Sequence, residues 1–295
     1  MAFLPFALKA MLGACLFLLI LWCAQHRQPR AAGMMLTFPA INGLGLLTAE
    51  SADPVVIARA MIPMIALNGV LCALYILALL QPGAVLPSLP PRLKAVVVVS
   101  GCLVLWGAFA LAVAPWVQAL LVSSSQVLLF LGGYALLGGL ATGLWLWLPV
   151  RPATGSRQSF VGVLQANVIR VGVMLGLLVL VMLLARHGAE AWSGRFSAFP
   201  LIPFYSLLAL APRHADHHEA AVRLGMVGST VLFGPVLAIA FVWGFAYYLT
   251  ALALPRETAS AFALGVLGLL VLWSVCGVLI WGMLGGIRVL ERRGP

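Results

Sequence analysis

Runs of about 20 apolar residues, separated by short polar stretches, recur along the whole chain. A run of this length matches a helix that crosses the hydrocarbon core of a bilayer. Of the 295 residues, 63% are hydrophobic and 8% are charged, whereas soluble domains carry roughly 25% charged residues. The sequence therefore predicts an all-α polytopic membrane protein whose main partner is the lipid bilayer.

Nine transmembrane segments are predicted. Their bounds are 3–24, 31–48, 57–80, 94–114, 117–148, 160–185, 196–211, 222–250 and 258–287. With the N-terminus outside and the C-terminus cytoplasmic, most of the 17 Lys and Arg residues fall on the cytoplasmic side, as the positive-inside rule requires. The fifth segment is long for one crossing and could break at Gly132-Gly133. Ten crossings would place the basic C-terminus outside, so the charge bias favours nine.

The two halves of the chain repeat each other. The stretch Gly33–Ile41 returns as Gly194–Ile202, at a constant offset of 161 residues that also pairs Lys9 with Arg170. Segments one to four then match segments six to nine, and segment five joins them. An offset of five crossings makes the halves enter the membrane from opposite sides. The predicted fold is thus an inverted-topology repeat, 4+1+4, which is typical of secondary transporters.

This division predicts three regions: a first four-helix repeat over 1–114, a linker helix and cytoplasmic loop over 115–158, and a second repeat over 159–295.

Short motifs in the first half resemble those of a known family. They are Phe6-Ala7-Leu8-Lys9-Ala10-Met11-Leu12-Gly13-Ala14, Ala32-Gly33 with Leu36-Thr37-Phe38-Pro39, and Ala58-Arg59-Ala60. Their order is similar to that in GlpM, a family of small four-helix bacterial proteins, over about residues 3–114 and more weakly over 160–288. Thr37 departs from the family, which more often has a bulky apolar residue there. The resemblance implies a fused, duplicated GlpM-like protein of the bacterial inner membrane, linked to exopolysaccharide production.

Lys9 and Arg170 are the first candidate site residues, because a charge near the middle of a bilayer is costly and usually functional. Gln165 and Asn167 precede Arg170 and supply polar surface near it. These residues are predicted to bind an anionic substrate. The alternative for Lys9 is an anchor that snorkels to the interface.

Two Phe-Pro pairs, Phe38-Pro39 and Phe199-Pro200, lie within the short segments two and seven. Proline removes a backbone donor and frees a carbonyl one turn earlier, and in lipid such a carbonyl needs protein or water as a partner. With Asn42 nearby, both breaks are predicted to contribute to substrate binding, each aiming the positive end of a half-helix inward. The alternative is a kink used only for packing.

Arg59 and Arg223 form a second basic pair at an offset of 164, and are predicted to line the outer and inner mouths of an anion path. Arginine at a helix end is also a common determinant of membrane topology.

The histidines 214, 217 and 218 have ligand-like spacing but fall in a polar loop, so no metal and no cofactor is expected.

Some functions are disfavoured by what the sequence lacks. No acidic residue falls in the middle of a predicted span, although cation carriers usually depend on intramembrane carboxylates. Catalytic motifs are missing, so an enzyme is not expected, and a lipid-modifying enzyme ranks third. The net charge of +10 is scattered singly, which argues against nucleic acid as a partner.

The sequence thus favours an inner-membrane transporter or flippase for an anionic solute or a lipid-linked phosphate or sugar acid. The alternative is a non-transporting scaffold of envelope polysaccharide machinery, with tightly packed halves and no polar midplane.

Replacement of Arg170 by Ala is predicted to abolish anion flux in proteoliposomes while the protein remains folded, since the substrate loses its counter-charge. Unchanged flux would remove Arg170 from the site.

Overall fold

The chain is helical throughout the part that the computed structural model describes, and no strand occurs there. The described residues are 29–36, 53–80, 89–146, 190–210, 225–252 and 259–293, together with single residues or short pieces between 11 and 46 and between 165 and 176. The helices are α1 (Pro29–Met35), α2 (Pro54–Leu80), α3 (Pro91–Ala112), α4 (Ala114–Leu120), α5 (Ser124–Leu146), α6 (Glu190–Ser197), α7 (Leu201–Leu210), α8 (Phe233–Ala251) and α9 (Ala259–Arg293).

Five of these helices, α2, α3, α5, α8 and α9, are long and apolar enough to cross a membrane. In α2 and α8, 72% and 61% of the most apolar window is buried, against 17–24% in the other three. The pair α2 and α8 therefore forms the centre of a helical membrane protein. The other three helices turn broad apolar faces outward, which suits contact with lipid.

The central helices α2 and α8 run in opposite directions. Arg59, near the start of α2, donates a hydrogen bond to the carbonyl oxygen of Val122, just before α5 (2.6 Å). The hydroxyl of Ser124, which begins α5, lies 2.8 Å from the hydroxyl of Tyr247, near the end of α8. The start of α2 and the end of α8 thus lie at the same end of the bundle, which we call the arginine end.

The same central helices share a pattern of exposure. Positions 70, 74 and 77 of α2 are exposed, and so are positions 240, 244 and 247 of α8. Tyr75 and Phe245 are both fully buried. Each of these pairs is separated by 170 residues, an offset that aligns Arg59 with Ser229 rather than with Arg223. The short helices α1 and α6 begin at 29 and 190, which keeps the offset of 161.

Each short helix packs a glycine tightly against the opposite half. A Cβ on Gly33 of α1 would lie 2.1 Å from the carbonyl oxygen of Val227. A Cβ on Gly194 of α6 would lie 2.8 Å from both the carbonyl oxygen of Ile57 and the Cβ of Ala60. Small residues allow such close approach of helices where lipid offers no hydrophobic drive for association. Each of these glycines, which are 161 residues apart, therefore packs against the opposite half of the chain. We call this pair of contacts the glycine clasp.

The predicted fifth segment, 117–148, is not one helix. The chain leaves α4 at Leu121 and restarts at Ser124, and Gly132 and Gly133 lie inside α5, so the break suggested there is wrong. A capping box explains the new start: Gln126 accepts the N–H groups of Val122 and Ser123, and the Ser123 hydroxyl accepts the N–H of Gln126. The remaining helix α5 is about 34 Å long, close to the thickness of a bilayer core.

The Gly33→Ala variant is predicted to lower the free energy of unfolding by about 1–3 kcal/mol, because its Cβ would overlap the backbone of Val227. The measurement is the thermal midpoint in detergent. Gly244→Ala is the control, since a Cβ there meets no atom within 4 Å. A midpoint for Gly33→Ala as high as that of the control would contradict the clasp.

Candidate functional site

The helix break at Phe199-Pro200 is the centre of the candidate site. Helix α6 ends at Ser197 and α7 begins at Leu201, because Pro200 has no N–H to continue the ladder. The carbonyl oxygen of Ala198 instead accepts a hydrogen bond from Nδ2 of Asn68 (2.7 Å). Asn68 lies in the middle of α2, so the partner that lipid cannot supply comes from the central helix.

Aromatic rings surround this break. Trp106 of α3 contacts Phe199 edge to face, with ring centroids 4.9 Å apart, and lies 6.4 Å from the ring of Phe196. The indole Nε1 of Trp106 and Oδ1 of Asn68 are buried and have no hydrogen-bond partner within the described part of the chain. The break therefore lies against aromatic rings and close to two side chains with an unpaired polar atom. These atoms are the donor Nε1 of Trp106 and the acceptor Oδ1 of Asn68.

Arg59 lies at the arginine end of α2 and is half-buried. One terminal nitrogen bonds to the carbonyl oxygen of Val122, while its Nε is buried and makes no hydrogen bond to any described residue. The capping box that starts α5 also fixes the Val122 carbonyl that holds the guanidinium.

Arg195 of α6 is only 6% exposed. Its guanidinium stands 4.9 Å from the ring of Trp192 and reaches the side-chain oxygen of Gln118 at 3.4 Å, and its Nε also lacks a partner among the described atoms. Desolvation by burial lowers the pKa of Arg195. An arginine nonetheless stays protonated in a protein, so a positive charge is held inside the bundle.

Arg59 and Arg195 occupy the same end of the molecule, and we call them the arginine pair. Gly194, next to Arg195, touches the turn of α2 that carries Arg59. The hydrogen bonds shown for the two guanidiniums go to the uncharged oxygens of Val122 and Gln118. Of the acidic residues in the described ranges, Asp53, Glu190 and Glu291, Asp53 is exposed and accepts the N–H of Val55. The pair places two positive charges at one end of the bundle, each with an Nε that has no hydrogen-bond partner among the described atoms, and this arrangement is suited to an anion.

The structure locates five of the predicted site residues. Phe199 and Pro200 form the break, Arg59 belongs to the arginine pair, Asn42 is helical and half-buried, and Gln165 is helical and exposed. Phe199 lies beside the middle of α2, Arg59 lies near the start of that helix, and Gln165 is exposed. Six predicted residues lie outside the described part of the chain, namely Lys9, Phe38, Pro39, Asn167, Arg170 and Arg223, and so does the histidine-rich loop. The described residues contain no cluster of metal-ligating side chains.

Sequence reasoning missed Arg195, Asn68 and Trp106. Arg195 carried a signal, since it stands inside the repeated motif where the first half has Met34. Asn68 was visible as an amide in the middle of an apolar run. Nothing in the sequence singled out Trp106, one of 9 tryptophans.

The chain matches no protein-family model, no curated protein and no solved structure. The resemblance to GlpM rests on the short motifs quoted above and stays a prediction.

Arg195→Met is predicted to leave the free energy of unfolding unchanged or to raise it by up to about 2 kcal/mol. A buried charge with weak partners stabilises a fold less than a well-packed apolar side chain does, and Met34, which occupies the equivalent position, is fully buried. Arg59→Met, which loses the 2.6 Å bond to Val122, is the contrasting variant and should unfold at a lower temperature. A large loss of stability in Arg195→Met would mean that the charge serves the fold.

Proposed function

We propose that this chain is a bacterial inner-membrane transporter or flippase that carries an anionic solute or a lipid-linked phosphate or sugar acid. The observation that carries the proposal is the arginine pair. Both guanidiniums have a buried nitrogen with no hydrogen-bond partner among the described residues. Such charges are costly in a membrane protein and mark substrate pathways.

The proposed transport cycle uses an inverted repeat of nine spans, 4+1+4. The opposite directions of α2 and α8, their common exposure pattern and the reciprocal contacts of Gly33 and Gly194 support this arrangement. Repeats related in this way can exchange conformations and open a central site to either side in turn. The Phe199-Pro200 break lies in the middle of α2's length, at the depth where such sites are found.

Within the described residues, the positions that match the arginine pair by the repeat offsets carry no charge, although Arg30 lies at the other end of the bundle. The position matching Arg59 is Ser229, and the position matching Arg195 is Met34. At that other end, the Thr230 hydroxyl donates to the carbonyl oxygen of Arg30 (2.6 Å). We therefore assign anion capture to the arginine end, which the Lys and Arg distribution places outside, and a weaker release step to the opposite end.

A second candidate function is a non-transporting scaffold for envelope polysaccharide machinery. The glycine clasp supports this candidate. Tight contacts at Gly33 and Gly194 suit two halves that do not move apart. This candidate gives no reason for the buried arginine pair, so we rank it second.

Loss of either arginine is predicted to slow anion transport. Arg59→Gln and Arg195→Gln should each reduce uptake of inorganic phosphate or glucuronate into proteoliposomes by at least about tenfold, which corresponds to roughly 1.4 kcal/mol of lost substrate stabilisation. A fluorescent phosphatidylglycerol assayed for transfer between leaflets tests the lipid-linked alternative in the same vesicles.

Arg292→Gln, near the end of α9, is the charge-matched control. Wild-type protein that moves none of these probes would favour the scaffold. Equal transport by wild type and both arginine variants would exclude the arginine pair as the site.

A further inference from the structure

Four polar atoms deep in the bundle have no hydrogen-bond partner among the described residues. They are Oδ1 of Asn68, the hydroxyl of Tyr75, Nε1 of Trp106 and Oγ of Ser206, on side chains that are 0–7% exposed. Buried polar atoms in proteins are nearly always hydrogen-bonded, and exceptions call for a bound water or ligand. Four exceptions in one apolar bundle indicate a polar occupant.

Two of these atoms meet at the helix break. Asn68 bonds to Ala198, and Trp106 packs on the neighbouring Phe199. The free oxygen of the amide and the free N–H of the indole therefore belong to one neighbourhood, where an occupant could accept from one and donate to the other.

The other two atoms lie deeper, away from the arginine end. Tyr75 follows Asn68 by seven residues on α2, so it lies on the same face about 10 Å farther along the helix. Ser206 is on α7, which packs against α2 and α3. Ser206 follows Ala198, whose carbonyl bonds to Asn68, by eight residues.

These groups are shielded from lipid. The neighbouring side chains Val70, Leu74 and Leu77 are 41%, 48% and 36% exposed, and they occupy the outer face of α2. The unpaired atoms therefore face the interior of the bundle, where a polar occupant would be separated from the hydrocarbon core.

The chemistry of the four groups selects the occupant. They are uncharged and include both donors and acceptors, so they suit water and the oxygens of a hydrated anion. A bare metal cation would require carboxylates or a ring of carbonyls, and an apolar ligand would leave all four atoms unpaired.

We infer that Trp106, Asn68, Tyr75 and Ser206 line a hydrated path that leads from the arginine pair into the bundle. This inference rests on the proposed function for its direction of use, since the path would receive the anion that the arginine pair captures. In the absence of solute, water completes the hydrogen bonds of the four groups.

Cysteine labelling in proteoliposomes tests the path. The five native cysteines are first replaced, by Ala at the four buried positions and by Ser at the exposed Cys15. Single variants are then treated with the anionic, membrane-impermeant reagent sulfonatoethyl methanethiosulfonate, and the extent of modification is followed by mass spectrometry. Ser206→Cys changes one atom and is the least disruptive probe.

Ser206→Cys is expected to react at least about tenfold faster than Leu77→Cys, because the reactive thiolate forms in water and not in hydrocarbon. Tyr75→Cys and Leu74→Cys repeat the comparison at adjacent positions of α2, one buried and one exposed. If Ser206→Cys does not fold, Asn68→Cys with Val70→Cys replaces it.

Equally slow reaction at interior and outer positions would mean a dry bundle and would overturn the path. Arginine variants that still lose phosphate uptake would then leave the proposed function standing. Fast labelling of Ser206→Cys together with unaffected uptake in the arginine variants would preserve the path and remove the proposed function.

Discussion

The bilayer offers no hydrogen bonds to a backbone, and the middle of this molecule is organised around that constraint. The helix is interrupted between Ser197 and Leu201 in the interior of an apolar bundle, and the carbonyl of Ala198 lies within that interruption. The amide of Asn68 supplies the missing donor from the central helix α2. The same side chain has a second polar atom, Oδ1 of Asn68, which makes no hydrogen bond to any described residue. One helix break therefore creates both a stable junction and an unmet polar group beside it.

The arginine pair also has polar atoms without hydrogen-bond partners, and these atoms belong to charged side chains. Arg195 is nearly fully buried, yet its described contacts are an aromatic face and one long hydrogen bond. A fold selected only for stability would place an apolar residue there, as the other half does with Met34. Buried groups with incomplete partners persist where function requires them. The arginine pair and the break together support the proposal that the interior of the bundle receives a polar solute.

Particular residues show which structural features could be predicted from the sequence and which could not. The break at Phe199-Pro200 followed from the chemistry of proline, whereas the start of α6 at Glu190 was not predicted, since residues 186–195 fell between two predicted segments. The restart at Ser124 was missed although Ser123 and Gln126 have the capping-box spacing, because the apolar run on both sides concealed it. Arg195 precedes the predicted segment 196–211 and was not singled out, since sequence distance does not reveal that the neighbouring Gly194 packs against Ile57 and Ala60.

The sequence by itself determined that this chain is a helical protein with segments long and apolar enough to cross a membrane, because hydrophobic length, proline and glycine act locally along the chain. The tertiary structure alone decided which polar groups meet. The bond between Asn68 and Ala198 spans 130 residues, and the one between Arg59 and Val122 spans 63. Contacts of this kind depend on the directions and depths at which α2, α6 and α8 pack, and those follow from the fit of many side chains at once.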